Sequence, residues 1–164
     1  MFHQFLLDLH PVIMSLFPIL LLLIILVETS MQEDVRYYSS QVLRGSKYYV
    51  SKKHEPFNLA KMNDRCKKLG GYLVQIDNKQ EHTDVSFIAY DARGLGPFFT
   101  GITDEGSEGR YYYYNDKKPA KYLKWRWFQP DNWKGREHCV VFWSYRFNDL
   151  WCGKRGRYIC EVPV

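Results

Sequence analysis

The chain is defined first by what it lacks. Its first thirty residues contain no Lys or Arg, although the full 164 residues hold 23. Its longest apolar run, Val12 to Val27, has sixteen residues. A membrane-spanning helix needs roughly 20. The run fits the apolar core of a secretory signal peptide, with Val27 and Thr29 small enough to flank cleavage near Thr29 or Ser30. The missing positive charge before the run, and the presence of Asp8 there, keep an uncleaved N-terminal anchor as the alternative. Met14 offers a second start and a shorter leader.

Enzyme signatures are also missing. There is no His-Glu-x-x-His, no Gly-x-Ser-x-Gly and no phosphate-binding glycine loop. His54, His82 and His138 are scattered, so the expectation is a binding protein and not an enzyme. No Cys-x2-Cys and no Cys/His cluster has zinc-ligand spacing. Behind a secretory leader, Cys66, Cys139, Cys152 and Cys160 therefore read as two disulfides, with three pairings open. The chain has no Asn-x-Ser/Thr sequon, no internal repeat and no heptads in residues 31–46. Any homo-oligomer would form through the folded domain itself.

What is present is basic and aromatic. Asp8 and Glu28 are the only acids before residue 31, which leaves 23 basic residues against 16 acidic ones in the remainder. The densest cluster is Lys117, Lys118, Lys121, Lys124 and Arg126. A solvated basic surface is the plain reading, and affinity for anionic glycans or lipopolysaccharide is the sharper one. Charge alone is no argument for nucleic acid, which a secreted protein seldom meets.

The texture of the chain changes along its length. Residues 1–30 read as signal peptide or anchor, 31–46 as a short polar stalk, and 47–164 as the globular domain. Tyr48-Tyr49-Val50 opens the domain as a strand. Leu59, Met62, Cys66 and Leu69 recur at helical spacing, so a helix is expected from Pro56 to Leu69 with Gly70 as its cap. Tyr72 to Ile76 alternates as a strand does. A second helix follows Asn78, whose spacing to Glu81 is that of a capping box. Val85, Ile88, Ala89 and Ala92 form its apolar face, and Gly94 ends it. Further strands are expected at Phe98 to Ile102, Tyr111 to Tyr114, Cys139 to Trp143 and Tyr158 to Val162. Two helices followed by short strands give an α+β class. Residues 115–138 have no periodicity but hold Trp125, Trp127, Phe128 and Trp133, so this long loop reads as ordered and functional.

Five oxygen donors stand close in sequence: Gln129, Asp131, Glu137, Asn148 and Asp149. Three carboxylates and two amides suit calcium, which takes six to eight oxygen ligands. Cys139 and Cys152 bracket the last two donors, and a bridge between them would close a small loop worth roughly 3 kcal/mol.

The chain resembles the C-type lectin-like domain from about Lys47 to Pro163. The resemblance rests on Gly70-Gly71-Tyr72-Leu73-Val74, on Gly101-Ile102-Thr103-Asp104-Glu105 with Glu108-Gly109, on Asn148-Asp149-x-x-Cys152 and on Tyr158-Ile159-Cys160-Glu161. It implies a fold of two helices and short antiparallel strands around a long calcium-binding loop. It implies the pairings Cys66–Cys160 and Cys139–Cys152, and a cis bond before Pro130. Phe147 stands where most members have Trp. Gln129, Asp131, Glu137, Asn148 and Asp149 match the family's principal calcium and sugar site, where two sugar hydroxyls complete the metal's shell. Gln129-Pro130-Asp131 resembles the galactose-type order, and Trp133 falls where such members place a ring against the sugar. Only Lys134-Gly135-Arg136 follows it, without the glycine-rich insertion of some galactose-type members. Asp104, Glu108, Asn132 and Glu137 are similar to a second calcium site, and His138 beside them invites a pH-switch reading. The function implied is calcium-dependent binding of galactose or N-acetylgalactosamine glycans by a secreted lectin, with a role in innate immune recognition or agglutination. The rival is a lectin-like domain for a protein, mineral or anionic surface.

Overall fold

The computed structural model describes residues 18–22, 37–92 and 96–164. Most of the expected leader, residues 31–36 of the expected stalk and Gly94 lie outside the described residues. Residues 18–22 are helical, and among the described residues no helix is long and apolar enough to cross a membrane. Tyr37 to Val164 is a unit of its own.

That unit is α+β. Its elements run β1 (Tyr37–Leu43), β2 (Ser46–Ser51), β3 (Glu55–Pro56), α1 (Leu59–Lys68), β4 (Tyr72–Leu73) and α2 (Lys79–Asp91). Then follow β5 (Phe98–Thr103), β6 (Tyr112–Tyr113), a 3₁₀ turn (Trp133–Gly135), β7 (Cys139–Trp143), β8 (Arg146–Leu150) and β9 (Arg155–Pro163). The main strand path is β1-β2-β9-β5-β7-β8. Most pairs are antiparallel as expected, but β5 and β9 run parallel, which the sequence reading did not include. β9 is the hub, bonded to β2, β3, β4 and β5.

Three expectations are corrected. The polar segment 37–43 is not stalk; it is β1, paired with β2. It lies at the end of the strand path, where an edge strand has one neighbour and need not be apolar. The first helix starts at Leu59, not Pro56. Asn58 caps it, its Oδ1 accepting from the Lys61 N–H at 2.9 Å, while Pro56 is drawn into β3. The strand expected over Tyr72 to Ile76 is only Tyr72–Leu73, although the Val74 N–H still donates to the Ile159 carbonyl at 2.9 Å.

Other readings hold. Gly70 follows α1 with φ of 86°, the left-handed conformation that favours glycine. Asn78 Oδ1 accepts from the Glu81 N–H at 2.9 Å and caps α2. Glu81 does not complete the box on Asn78; it accepts from the Asp77 N–H at 2.9 Å. Val85, Ile88, Ala89 and Ala92 bury the α2 face in one core cluster with Phe142, Phe147 and Ile159. Met62 and Cys66 of α1 enter a second cluster with Phe99, Val141 and Tyr158. The disulfides are Cys66–Cys160, tying α1 to β9, and Cys139–Cys152, spanning the β7–β8 hairpin.

Candidate functional site

The site begins with how the long loop is held. Trp125 packs on Tyr111 and Phe147, with ring centroids 4.9 and 6.2 Å apart. The Phe147 N–H donates to the Lys124 carbonyl and the Arg126 N–H to the Phe147 carbonyl, both at 2.9 Å. The loop is thus pinned to β8. Phe147 is fully buried and edge-on to Phe142, so the residue in the usual Trp position still packs.

Beyond this anchor the chain turns at Arg126, whose carbonyl accepts from the Gln129 N–H at 3.2 Å, and the Gln129–Pro130 bond is cis. The next two backbone amides grip Asp149. The Asp131 N–H donates to Asp149 Oδ1 at 3.3 Å and the Asn132 N–H to Oδ2 at 2.6 Å. Asn132 is left-handed, with φ of 40°, and starts the 3₁₀ turn. Its Oδ1 accepts from the Glu137 N–H at 3.1 Å, while Glu137 Oε2 accepts from the Trp133 N–H at 3.2 Å. These bonds fold the loop back on itself.

The result brings Asp131, Glu137 and Asp149 together. One oxygen from each lies within 4.8 Å of the others. Asp149 is fully buried, Glu137 is buried and Asp131 is exposed. Burial first, then the neighbouring carboxylates, holds Glu137 above the usual carboxylate range, and burial and Asp131 act likewise on Asp149. Gln129 Oε1 is buried with no hydrogen-bond partner among the described residues. Clustered carboxylates and an orphaned amide oxygen are a donor set that fits a hard cation. Asn148 stands next to Asp149 on β8, and its Nδ2 donates to the Asp149 carbonyl.

The expected second set is rearranged. Asp104, Glu108 and His138 converge, with His138 Nδ1 3.2 Å from Asp104 Oδ1 and 3.6 Å from Glu108 Oε2. Asn132 touches this group through Nδ2, 2.5 Å from Glu108 Oε2. The Glu137 carboxylate groups with those of Asp131 and Asp149. His138 was expected beside this set as a pH-switch candidate and not as a ligand. Its adjacency to Glu137 and the Asp104–Glu108 pair was the available signal.

The aromatic residues divide clearly. Trp125 is anchored, but Trp127, Phe128 and Trp133 are 82, 90 and 61% exposed. Core packing is therefore not the role of Trp133. The Lys134 ammonium lies 4.2 Å from its ring centroid. The basic cluster is partly committed to neighbours: Lys117 sits over Tyr112 and Tyr114, Lys118 pairs with Asp116 at 3.0 Å, and Arg126 sits over Trp143.

Comparison with known proteins bears on the family and the fold. The profile of the lectin C-type domain matches residues 55–162. A perlucin-like protein from Mytilus galloprovincialis is 33% identical over 101 residues, covering 58% of this chain and 64% of the relative's length. The hepatic lectin of Gallus gallus is 27% identical over 126 residues, 76% of this chain and 58% of the relative. Among solved structures, the carbohydrate-recognition domain of the mouse scavenger receptor C-type lectin superposes with a TM-score of 0.65 at 25% identity, over 77% of this chain and 94% of that one. Human lithostathine shares the fold at 17% identity, with a TM-score of 0.67 over 76% of this chain and 96% of that one.

Proposed function

The chain belongs to the lectin C-type domain family, and from that premise we propose that it is a calcium-dependent receptor for galactose-type glycans. Members of the family are generally calcium-dependent carbohydrate binders and not enzymes. The observation that carries the reading is the convergence of Asp131, Glu137 and Asp149 beside the orphaned Gln129 Oε1. Gln129, Asp131, Glu137, Asn148 and Asp149 would hold the calcium. When bound, calcium supplies coordination positions for two neighbouring sugar hydroxyls.

The protein's own residues set which hydroxyls fit. Carboxylates only accept hydrogen bonds, whereas the amide groups of Gln129 and Asn148 also donate. Gln129 before Pro130 and Asp131 after it put the donor and the acceptor in the galactose-type order. Trp133 supports the same choice. It is exposed, so a ring face is available to the apolar C–H face of a galactose-type sugar. Secretion, and a role in innate immune recognition or agglutination, extend this proposal. Clustering of several domains, as a homo-oligomer, would raise avidity.

The test is retention on immobilised galactose in calcium, followed by elution with EDTA, galactose or mannose. Retention that galactose and EDTA release supports the reading. Failure to bind in calcium refutes it. Retention that survives EDTA but not salt would assign binding to the basic surface instead.

A further inference from the structure

The second cluster differs in kind from the first. Its members are two carboxylates and an imidazole, not three carboxylates. Calcium is a hard cation that takes oxygen ligands and wants six to eight of them. A nitrogen at the centre of the set fits calcium poorly, so the second calcium site suggested by the family resemblance is not supported by the residues present. Imidazole with carboxylates suits zinc, which is content with three protein ligands and a water.

We infer that Asp104, Glu108 and His138 form a zinc-type divalent metal site, separate from the calcium set. Two of the three separations fit. Ligand atoms around a tetrahedral zinc at about 2.0–2.1 Å stand about 3.3 Å apart. His138 Nδ1 lies 3.2 Å from Asp104 Oδ1 and 3.6 Å from Glu108 Oε2, on either side of that value.

The surroundings prepare these ligands. The Gly109 N–H donates to Asp104 Oδ2 at 2.8 Å, which leaves Oδ1 turned to the histidine. Asn132 Nδ2 donates to Glu108 Oε2 and fixes that carboxylate across the loops. Outer contacts of this kind orient metal ligands. A separate observation points to a missing polar neighbour. The Tyr111 side chain is buried, its hydroxyl has no hydrogen-bond partner among the described residues, and Asp104, Asp149 and Glu108 are the charges that act on it. A metal-bound water on that side would supply the absent partner.

The consequence reaches the first cluster. Asn132 bonds to Glu108, to the Glu137 N–H and to Asp149. Metal at Asp104, Glu108 and His138 therefore fixes the residue that holds the calcium loop. Zinc should tighten calcium binding, by about fivefold or more, and calcium should tighten zinc by the same factor.

The experiment needs no sugar, so its outcome is independent of the galactose reading. Calcium-saturated protein without a polyhistidine tag is titrated with cobalt(II) as a spectroscopic stand-in for zinc. One equivalent should give the intense visible absorption of a four-coordinate site, and zinc should abolish it. His138→Gln should weaken cobalt binding by on the order of 100-fold or more, because losing a ligand costs at least as much as losing an outer contact. Its calcium affinity without zinc should stay near that of the wild type. His138→Asp should lose the cobalt spectrum and take up a second calcium. Absence of the visible bands in the wild type, or their persistence in His138→Gln, would overturn the proposal.

Discussion

Two acidic regions of the domain invite comparison. In the core, Glu81 of α2 and Glu161 of β9 are both buried. Every oxygen they present has a donor. The Tyr48 hydroxyl and the Asp77 N–H serve Glu81 at 3.1 and 2.9 Å. The Ser46 hydroxyl and the Gln75 N–H serve Glu161 at 2.9 and 3.3 Å. At the loop, Asp131, Glu137 and Asp149 crowd one another; Asp149 accepts backbone N–H donors on both oxygens and Glu137 on Oε2. Burial raises the core pair, Glu81 to about 8, and raises Glu137 and Asp149 as well. The same physical shift thus has two meanings. Where hydroxyl and amide donors serve a carboxyl outside any such cluster, it is structural. Where carboxylates face each other around an orphaned amide oxygen, a cation is the missing part.

The largest expected effect breaks the loop side alone. Asp149→Asn should weaken calcium binding by more than about 100-fold, beyond the 10–100-fold typical of outer-shell changes. Calcium titration by calorimetry checks this. Glu81→Gln should leave calcium affinity unchanged within a factor of about two.

The next effect concerns pH, and the two regions should respond with opposite sign. The folded Glu81 carboxyl titrates above its ordinary 4.5, at about 8. Its neutral form is the one the fold prefers, so its stabilisation is complete below pH 4.5 and is lost as pH rises through 8. The calcium-free domain should therefore be less stable at pH 8.5 than at pH 5, by on the order of a few kcal/mol. Urea unfolding measures it, and Glu81→Gln should flatten the slope. Calcium affinity should run the other way. Glu137 and Asp149 hold protons above the usual range, so acidification competes with the metal and calcium binding should fall as pH drops from about 7 to 5. A calcium affinity that is flat with pH would contradict the loop half of the comparison.

The smallest effect is a control. Asn78→Ala removes the α2 cap and should cost about 1 kcal/mol of stability. It should leave calcium affinity where it was.

The sequence carried the parts of this picture that depend on local periodicity. Strand Cys139–Trp143 reads directly as an apolar run, and Asn78 announces α2. The Gln129 and Asp131 loop was legible because ligand types cluster there. Other parts were hidden by their function or by their place in the fold. β8 reads as Arg-Phe-Asn-Asp-Leu, and its strand character is masked because it carries site residues. β1 is polar because it lies at an edge. The parallel pairing of β5 with β9 joins segments far apart in sequence, which no local pattern encodes. His138 was visible as a residue but not as a ligand, because Asp104 is 34 positions away and only the β5–β7 register brings them together.

The most direct test of the central claim exchanges the donor order. Galactose and mannose are titrated calorimetrically into the calcium-loaded wild type and into the double variant Gln129→Glu with Asp131→Asn. Binding of galactose in preference to mannose by the wild type, with the preference reversed in the variant, is the predicted result. Equal preference in the two proteins, or a wild type that binds neither sugar, would contradict it.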